Sequence, residues 1–282
     1  MKFNHISGSI AFLLATPLVT SLSVGIAPSS AATIAGSLTA VTIENFSHTP
    51  TDTGTVTNIN DQTIANTSSV ISQANAEAVF ISNCHELLAG NFSQSEVIGS
   101  GNNYFGLAQS QAAVIGDFSI KAKETFSFSV QTILHLLTSV SNPQSEWASA
   151  TGSISFALID TVSNILLESF QFGIGLHSFK APELSLSYNL VGNFNPTQIN
   201  FAFLDQDNTK SLSLYTSGVY SRTFESSTNL RLVEVKDNMA AAQAQPVPEP
   251  TTILGTALFF GFLTKRRKLK NQLSEVKSKV YE

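Results

Sequence analysis

Cys84, His85 and Glu86 stand in a row, and a thiol, an imidazole and a carboxylate are the groups from which a nucleophile and its base are built. Neighbours along a chain do not face one another, and a cysteine nucleophile needs its histidine close in space. Adjacency does not supply that, so the plainer reading of Cys84 is a small half-buried side chain. The run His85-Glu86-Leu87-Leu88-Ala89 falls just short of the H-E-x-x-H zinc signature. Ala89 stands where the second ligand must be, one helical turn on, so that site is absent.

His48, His135 and His177 are scattered without ligand spacing, and His135 falls on the polar phase of its strand, which predicts exposure. Asp205, Asp207 and Asn208 crowd one tight turn. Calcium takes about six to eight oxygen ligands, more than this turn supplies. An Asx-type hairpin turn is the simpler account. Trp147, the sole tryptophan, would make a sugar platform if exposed, but Ala148 and Ala150 beside it point to partial burial. Neither a nucleophile elbow nor a phosphate-binding or dinucleotide-binding glycine loop occurs. No catalytic, cofactor or metal residue is assigned, and a non-enzyme is expected.

These residues must be positioned by β-structure. Phe126, Phe128 and Val130 alternate with Thr125, Ser127 and Ser129, and Ile154, Phe156 and Leu158 with Ser153, Ser155 and Ala157. Leu184, Leu186, Tyr188 and Leu190 alternate likewise, as do Ile199, Phe201 and Phe203, then Leu212 and Leu214. That period of two marks strands with one buried face. Turn chemistry falls at Asn142-Pro143, 160–164, Asn195-Pro196 and 205–210, the last closing a hairpin. Between Leu167 and Phe170 the apolar phase switches from odd to even positions, which predicts a β-bulge near Glu168-Ser169 or a break into two strands.

The first third is less regular. Residues 38–46 and 77–81 read as strands, the polar run 51–72 as long surface connections, 99–103 as a loop, and 85–89 as a short helix. The expected body is an all-β domain over residues 33–238, with about eight to ten strands in two antiparallel sheets, a sandwich of jelly-roll or lectin-like type. Residues 239–246, rich in Ala, Gln and Pro, read as a linker.

This body holds seven basic against seventeen acidic residues, which argues against a nucleic-acid partner, since phosphate neutralisation needs clustered Lys and Arg. Cys84 is the only cysteine, so no intrachain disulfide forms.

Both ends read as targeting segments. Lys2, an apolar stretch over 10–22 broken by Pro17, and Ser29-Ser30-Ala31-Ala32 have the order of a secretory signal peptide, residues 1–32. Near the other end, fourteen uncharged residues, 251–264, precede Lys265-Arg266-Arg267-Lys268. As a helix that stretch would run roughly 21 Å, against a hydrocarbon core of about 30 Å. Snorkelling of Lys265 and Arg266 and local thinning of the bilayer close the gap. The one-sided basic cluster places the C-terminal tail in the cytoplasm and the β-rich body on the other side of the membrane. An ordinary C-terminal anchor would look the same.

Pro248-Glu249-Pro250 just outside that helix is what an ordinary anchor does not need. Pro-Glu-Pro, a short apolar helix and an Arg/Lys cluster, in that order, resemble the PEP-CTERM sorting signal. The resemblance covers residues 247–270 together with the N-terminal signal helix. It implies Pro248, Glu249 and Pro250 as recognition residues, Lys265, Arg266, Arg267 and Lys268 as the membrane stop cluster, and an exosortase-type processing enzyme as partner. Residues 271–282, a polar cytoplasmic tail, are longer than such signals usually carry. The resemblance also implies export to the cell envelope, surface or extracellular matrix, near extracellular polysaccharide. Two functions stay open: a non-catalytic surface or matrix protein, and a carbohydrate-binding, lectin-like module or weak glycan hydrolase on the same sandwich.

Overall fold

A computed structural model describes residues 32–66, 68–83, 87–178, 183–189 and 192–245. Residues 1–31, which hold most of the expected signal segment, Cys84-His85-Glu86, Pro248-Glu249-Pro250, the apolar stretch 251–264 and the basic cluster from Lys265 to Lys268 lie outside the described residues. The described chain is strand and turn throughout. It runs β1 (Ala32–Glu44), β2 (Asp52–Ala65), β3 (Ser69–Ser82), β4 (Leu87–Ser100), β5 (Tyr104–Ile120), β6 (Thr125–Ser139), β7 (Glu146–Asp160), β8 (Ile165–Ser178), β9 (Glu183–Asn189), β10 (Phe194–Gln206), β11 (Thr209–Thr223) and β12 (Thr228–Ala244). Two six-stranded antiparallel sheets pack face to face: sheet A in the order β10-β11-β6-β1-β4-β3, sheet B in the order β2-β5-β12-β7-β8-β9.

The alternation expected of β6, β7 and β11 is present. Phe126, Phe128, Val130, Ile154, Phe156, Leu158, Leu212 and Leu214 are all buried between the sheets. The hairpin at 205–210 is β10–β11, with Asp207 in the left-handed region at φ 53°. The turn after β7 is held by Asp160, which accepts hydrogen bonds from the Val162 amide at 3.0 Å and the Ser163 hydroxyl at 2.8 Å. The phase switch in β8 is a bulge. Leu158 faces Glu168 and Ile159 faces Leu166, so Leu167 is the extra residue, just before the expected position.

Other expectations are corrected. The described residues form twelve strands, because the polar run 51–72 holds β2 and the start of β3. Thr and Asn suit an edge strand whose side chains stay in water, so polarity there did not mean loop. Residues 87–89, placed in a short helix, open β4 and pair with β1 and β3. Asn195-Pro196 lies within β10, where the ladder skips a residue between Pro196 and Gln198, the kind of irregularity at which an edge strand tolerates proline. Residues 239–244 are no linker. They complete β12, bonded to β5 and β7, with Ala240, Ala242 and Ala244 buried, so the sandwich extends past residue 238. Alanines that resemble a flexible spacer in sequence are there the small side chains that let the sheets approach.

The interior is zoned along the strands. At one end Phe118, Phe126, Phe128, Phe156, Phe170 and Tyr220 form an aromatic core, with Phe156 and Phe170 stacked at 4.4 Å. At the other, Ala35, Ala108, Ala148, Ala240 and Ala242 pack with Val97 and Tyr104. Between them runs a buried polar belt. Asn238 donates to Thr39 Oγ1 at 2.9 Å and Ser93 Oγ at 2.8 Å, and accepts from Ser37 at 2.8 Å. Ser95 and Ser110 share a bond at 3.0 Å. Glu234 and Lys236 project from β12 into the same belt, both fully buried. Asn91 bridges them, donating its amide to Glu234 Oε2 and accepting from Lys236 Nζ at its carbonyl oxygen. Burial pushes Glu234 up to about 7 and, with Glu234 opposing it, Lys236 down to about 7. Asn91 Oδ1 and Glu234 Oε1 meet no hydrogen-bond partner among the described residues.

Candidate functional site

The outward phase of sheet B carries the residues that could hold a ligand. Register alone assembles them. Asn58 faces Gln111, which faces Asp237, then Ser153, Gly173 and Ser187. One step along, Asn60 faces Gln109, then Met239, Thr151, Gly175 and Ser185. Two parallel rows therefore cross all six strands at right angles to the chain direction. Six strands at about 4.8 Å spacing give a track about 24 Å long between the outer strands.

The track is concave, a trough of about 460 Å³. Gly173 and Gly175 make it so at the β8–β9 side. A Cβ on Gly175 would meet Ser185 Oγ at 2.4 Å and one on Gly173 would meet Ser187 Oγ at 2.7 Å. Without side chains at these two positions the serines of β9 lean over β8 and form a wall, and Ser187 donates to the Gly173 carbonyl at 3.4 Å. The amides are held in order before any ligand arrives. Asn60 Nδ2 donates to Gln109 Oε1 at 3.0 Å, and Gln111 Nε2 donates to Asp237 Oδ1 at 2.7 Å.

Chemically the trough offers amide donors and acceptors, hydroxyls, one carboxylate and the Met239 thioether. It has no cation, so it does not suit a polyanion, and a single carboxylate does not make the acid–base pair of glycoside cleavage. What it can do is exchange hydrogen bonds with a long, neutral, hydroxyl-rich ligand lying across the strands.

The residues considered in the sequence fall elsewhere. His48 sits between Ser47, at 2.8 Å, and Glu124, at 3.2 Å, and its contact helps hold Glu124 below the ordinary carboxylate range, after the larger effect of the Lys121 amide. His135 is half-buried on the outer face of sheet A, bonded to Ser213 at 2.8 Å, and burial lowers its pKa. The expectation of free exposure is corrected: His135 lies on the outward phase of β6 but is only partly exposed. His177 bonds Ser149 at 2.8 Å. Asp205 is ion-paired with Lys210, whose ammonium occupies the position a cation would take. Among the described residues no group of three His, Cys, Asp or Glu side chains is placed to hold a metal. Trp147 is half-buried on the outer face of β7, four residues from Thr151.

No family model, curated protein or solved structure matches the chain. The trough therefore rests on its own geometry. Sequence reading missed it because no single strand contains it. The one local signal was small or polar residues on the outer phase of successive strands, Thr151 and Ser153, Gly173 and Gly175, Ser185 and Ser187. Asn58, Asn60, Gln109 and Gln111 join them only through the β2–β5–β12 pairing, which has no signature in the sequence.

Proposed function

We propose that the chain is an exported, non-catalytic protein of the cell surface or extracellular matrix, and that the trough across sheet B holds neutral polysaccharide. The observation that carries the reading is the pair of amide and hydroxyl rows spanning six strands. A glycan chain is a linear array of hydroxyls, and the trough matches it in length, polarity and lack of cations. Its volume lies in the range of ligand sites, about 300–1,000 Å³. With no aromatic ring to stack on, binding rests on hydrogen bonds that replace those to water, so each contact adds little net free energy. Dissociation constants of about 0.1–1 mM per site are the expectation, tightened by avidity where many copies meet one polymer.

The route outward is supported by the ends of the sequence. Pro248, Glu249 and Pro250 would be read by an exosortase-type enzyme, and residues 251–264, stopped by the basic cluster, would engage the membrane before processing. The kinship to jelly-roll or lectin-like sandwiches is part of the proposal by analogy of fold.

Affinity electrophoresis of the protein through gels containing neutral glucans or galactans tests the binding. Retardation by at least one such polymer is expected, with Gln109→Ala and Asp237→Ala each weakening it several-fold. Both side chains are exposed, so neither change should disturb the fold. Mobility unaffected by every neutral polymer, or retardation indifferent to both substitutions, overturns the proposal.

A further inference from the structure

The two ends of the sandwich are finished differently. At the β2–β3 end the sheets close on each other. Ser72 Oγ donates to the Leu107 carbonyl at 2.6 Å, the Ala74 amide donates to Asp61 at 3.3 Å, and the inward phase of β2 is mostly threonine. At the opposite end β9 and β10 are exposed on both faces along nearly their whole length. Phe194 is the last β10 side chain to reach the core, stacked on Phe170 at 4.5 Å. Past the irregularity at Pro196–Gln198 the strand carries its apolar residues into the open.

These residues nevertheless belong to the inner face. Ile199, Phe201 and Phe203 pair with Thr216, Leu214 and Leu212, all buried, and Leu184, Leu186 and Tyr188 pair with Leu176, Ile174 and Phe172, also buried. Cross-strand partners share a face. Moving one strand outward in either sheet, exposure rises from 4 % or less to between 43 % and 69 %. The hydrophobic core thus continues to both edges, where no described residue covers it. The six side chains expose roughly 600 Å² of apolar surface, the top of the range for the largest patch on a monomer. Among the described residues β9 bonds only to β8 and β10 only to β11, so each is an edge strand of its sheet. Residues 198–204 of β10 contain no charge or proline, the devices that normally blunt an edge.

We infer that this open end is a dimer interface occupied by a second copy of the chain, with β10 pairing antiparallel to β10 of the partner about a two-fold axis perpendicular to the sheets. An axis near Phe201 sets Ile199 opposite Phe203 of the partner subunit and keeps every apolar side chain on the inner face, because residues equidistant from the axis have the same parity. The same operation brings the two β9 strands together over the joined β10 strands. Sheet A then runs continuously through twelve strands and the two cores become one.

A second copy is favoured over an unlike partner on two grounds. The strand is self-complementary in register, and its apolar stretch is an uncharged part of a body with seventeen acidic and seven basic residues. Two such bodies repel everywhere except where the contact carries no charge. The apolar area alone amounts to about 1,200 Å² when both copies are counted, the lower bound of a specific stable interface.

The test is the mass of the full chain in mild detergent, by sedimentation equilibrium corrected for bound detergent. A species of twice the 30.2 kDa chain is expected. Phe201→Lys with Leu186→Lys should weaken it at least a hundredfold, whereas Leu204→Lys, on the outer phase of the same strand, should leave it within about threefold. All three positions are exposed, and circular dichroism verifies that each variant is folded. A monomeric full chain overturns the inference, as does a dimer insensitive to the Phe201 and Leu186 changes, which would have to form through some other surface.

Discussion

Replacing Lys236 by methionine is the sharpest perturbation the interior offers. Methionine matches the length of the aliphatic stem, so packing in the belt between the sheets is kept and only the ammonium is lost. That ammonium donates to the Asn91 carbonyl, and Asn91 in turn donates to Glu234. Once it is gone, Glu234 is a fully buried carboxylate with one neutral amide for company and one oxygen already without a partner. Breaking a buried pair from one side costs about 3–5 kcal/mol. A domain this size has about 5–15 kcal/mol in all, so the variant should stand near the edge of folding. With a urea dependence of about 3 kcal/mol per molar, the unfolding midpoint should fall by about 1–2 M.

Removing both charges should behave differently. Glu234→Leu with Lys236→Met abolishes two desolvation costs, a change often worth about 1–4 kcal/mol in favour of the folded state. Against that, the Asn91 amide and carbonyl lose their partners, at about 1–3 kcal/mol. The double variant should therefore lie between about 2 kcal/mol below the parent and about 3 kcal/mol above it, and above the single. Equilibrium urea unfolding followed by Trp147 fluorescence measures all three proteins. A single change costing less than about 1 kcal/mol, or a double costing as much as the single, would refute the reasoning that these two groups are coupled in a dry layer.

The same pair sets a pH dependence. Glu234 is held above its ordinary 4.5, so its contribution is complete at low pH and falls as pH rises toward about 7. Lys236 is held below its ordinary 10.5, so its contribution is complete at high pH and falls as pH drops toward about 7. Urea midpoints between pH 5 and 9 should show a shallow minimum near neutrality that the double variant lacks; a parent profile with no dip would count against the burial of both groups. At the C-terminus, the terminal peptide of the mature protein from native cells, identified by mass spectrometry, should end close to Pro250 with nothing from Leu254 onward. An intact Glu282 in the membrane fraction would sink processing by a sorting enzyme and leave a simple anchor.

How legible the molecule was depended on whether its signals were local. The alternation of Phe126, Phe128 and Val130 states its face in the sequence, and β6 is where it was expected. β12 does not. Leu230 and Leu232 occupy one phase with Glu234, Lys236 and Asn238, while Val233 and Val235 occupy the other with Arg231 and Asp237. Pattern alone cannot say which face is buried, and the charged phase is the one that turns inward. Only the facing residues of β1 and β4 decide it, since Thr39, Asn91, Ser93 and Ser95 supply the partners that make burial tolerable. The trough was illegible for a similar reason. Its residues come from six strands separated by as much as 181 positions, Asn58 to Met239, and share no motif.

The polar belt also answers a question that hydrophobic packing leaves open. In a sandwich of long strands, each sheet can slide past the other by two residues and still oppose apolar side chains to apolar side chains. The zoning forbids that slip here. Displaced by two positions, Lys236 would lose the Asn91 carbonyl and Asn238 would lose Thr39 and Ser93, and several buried donors and acceptors would go unmet at about 1–3 kcal/mol each. The aromatic and alanine ends would meet their wrong counterparts at the same time. The belt is thus a costly layer whose return is a single alignment of the sheets. That alignment matters outside the core as well, because Asp237 and Met239 alternate with Lys236 and Asn238 along β12. Fixing the inner phase of that strand fixes the outer one, and with it the order of the amide and hydroxyl rows across sheet B.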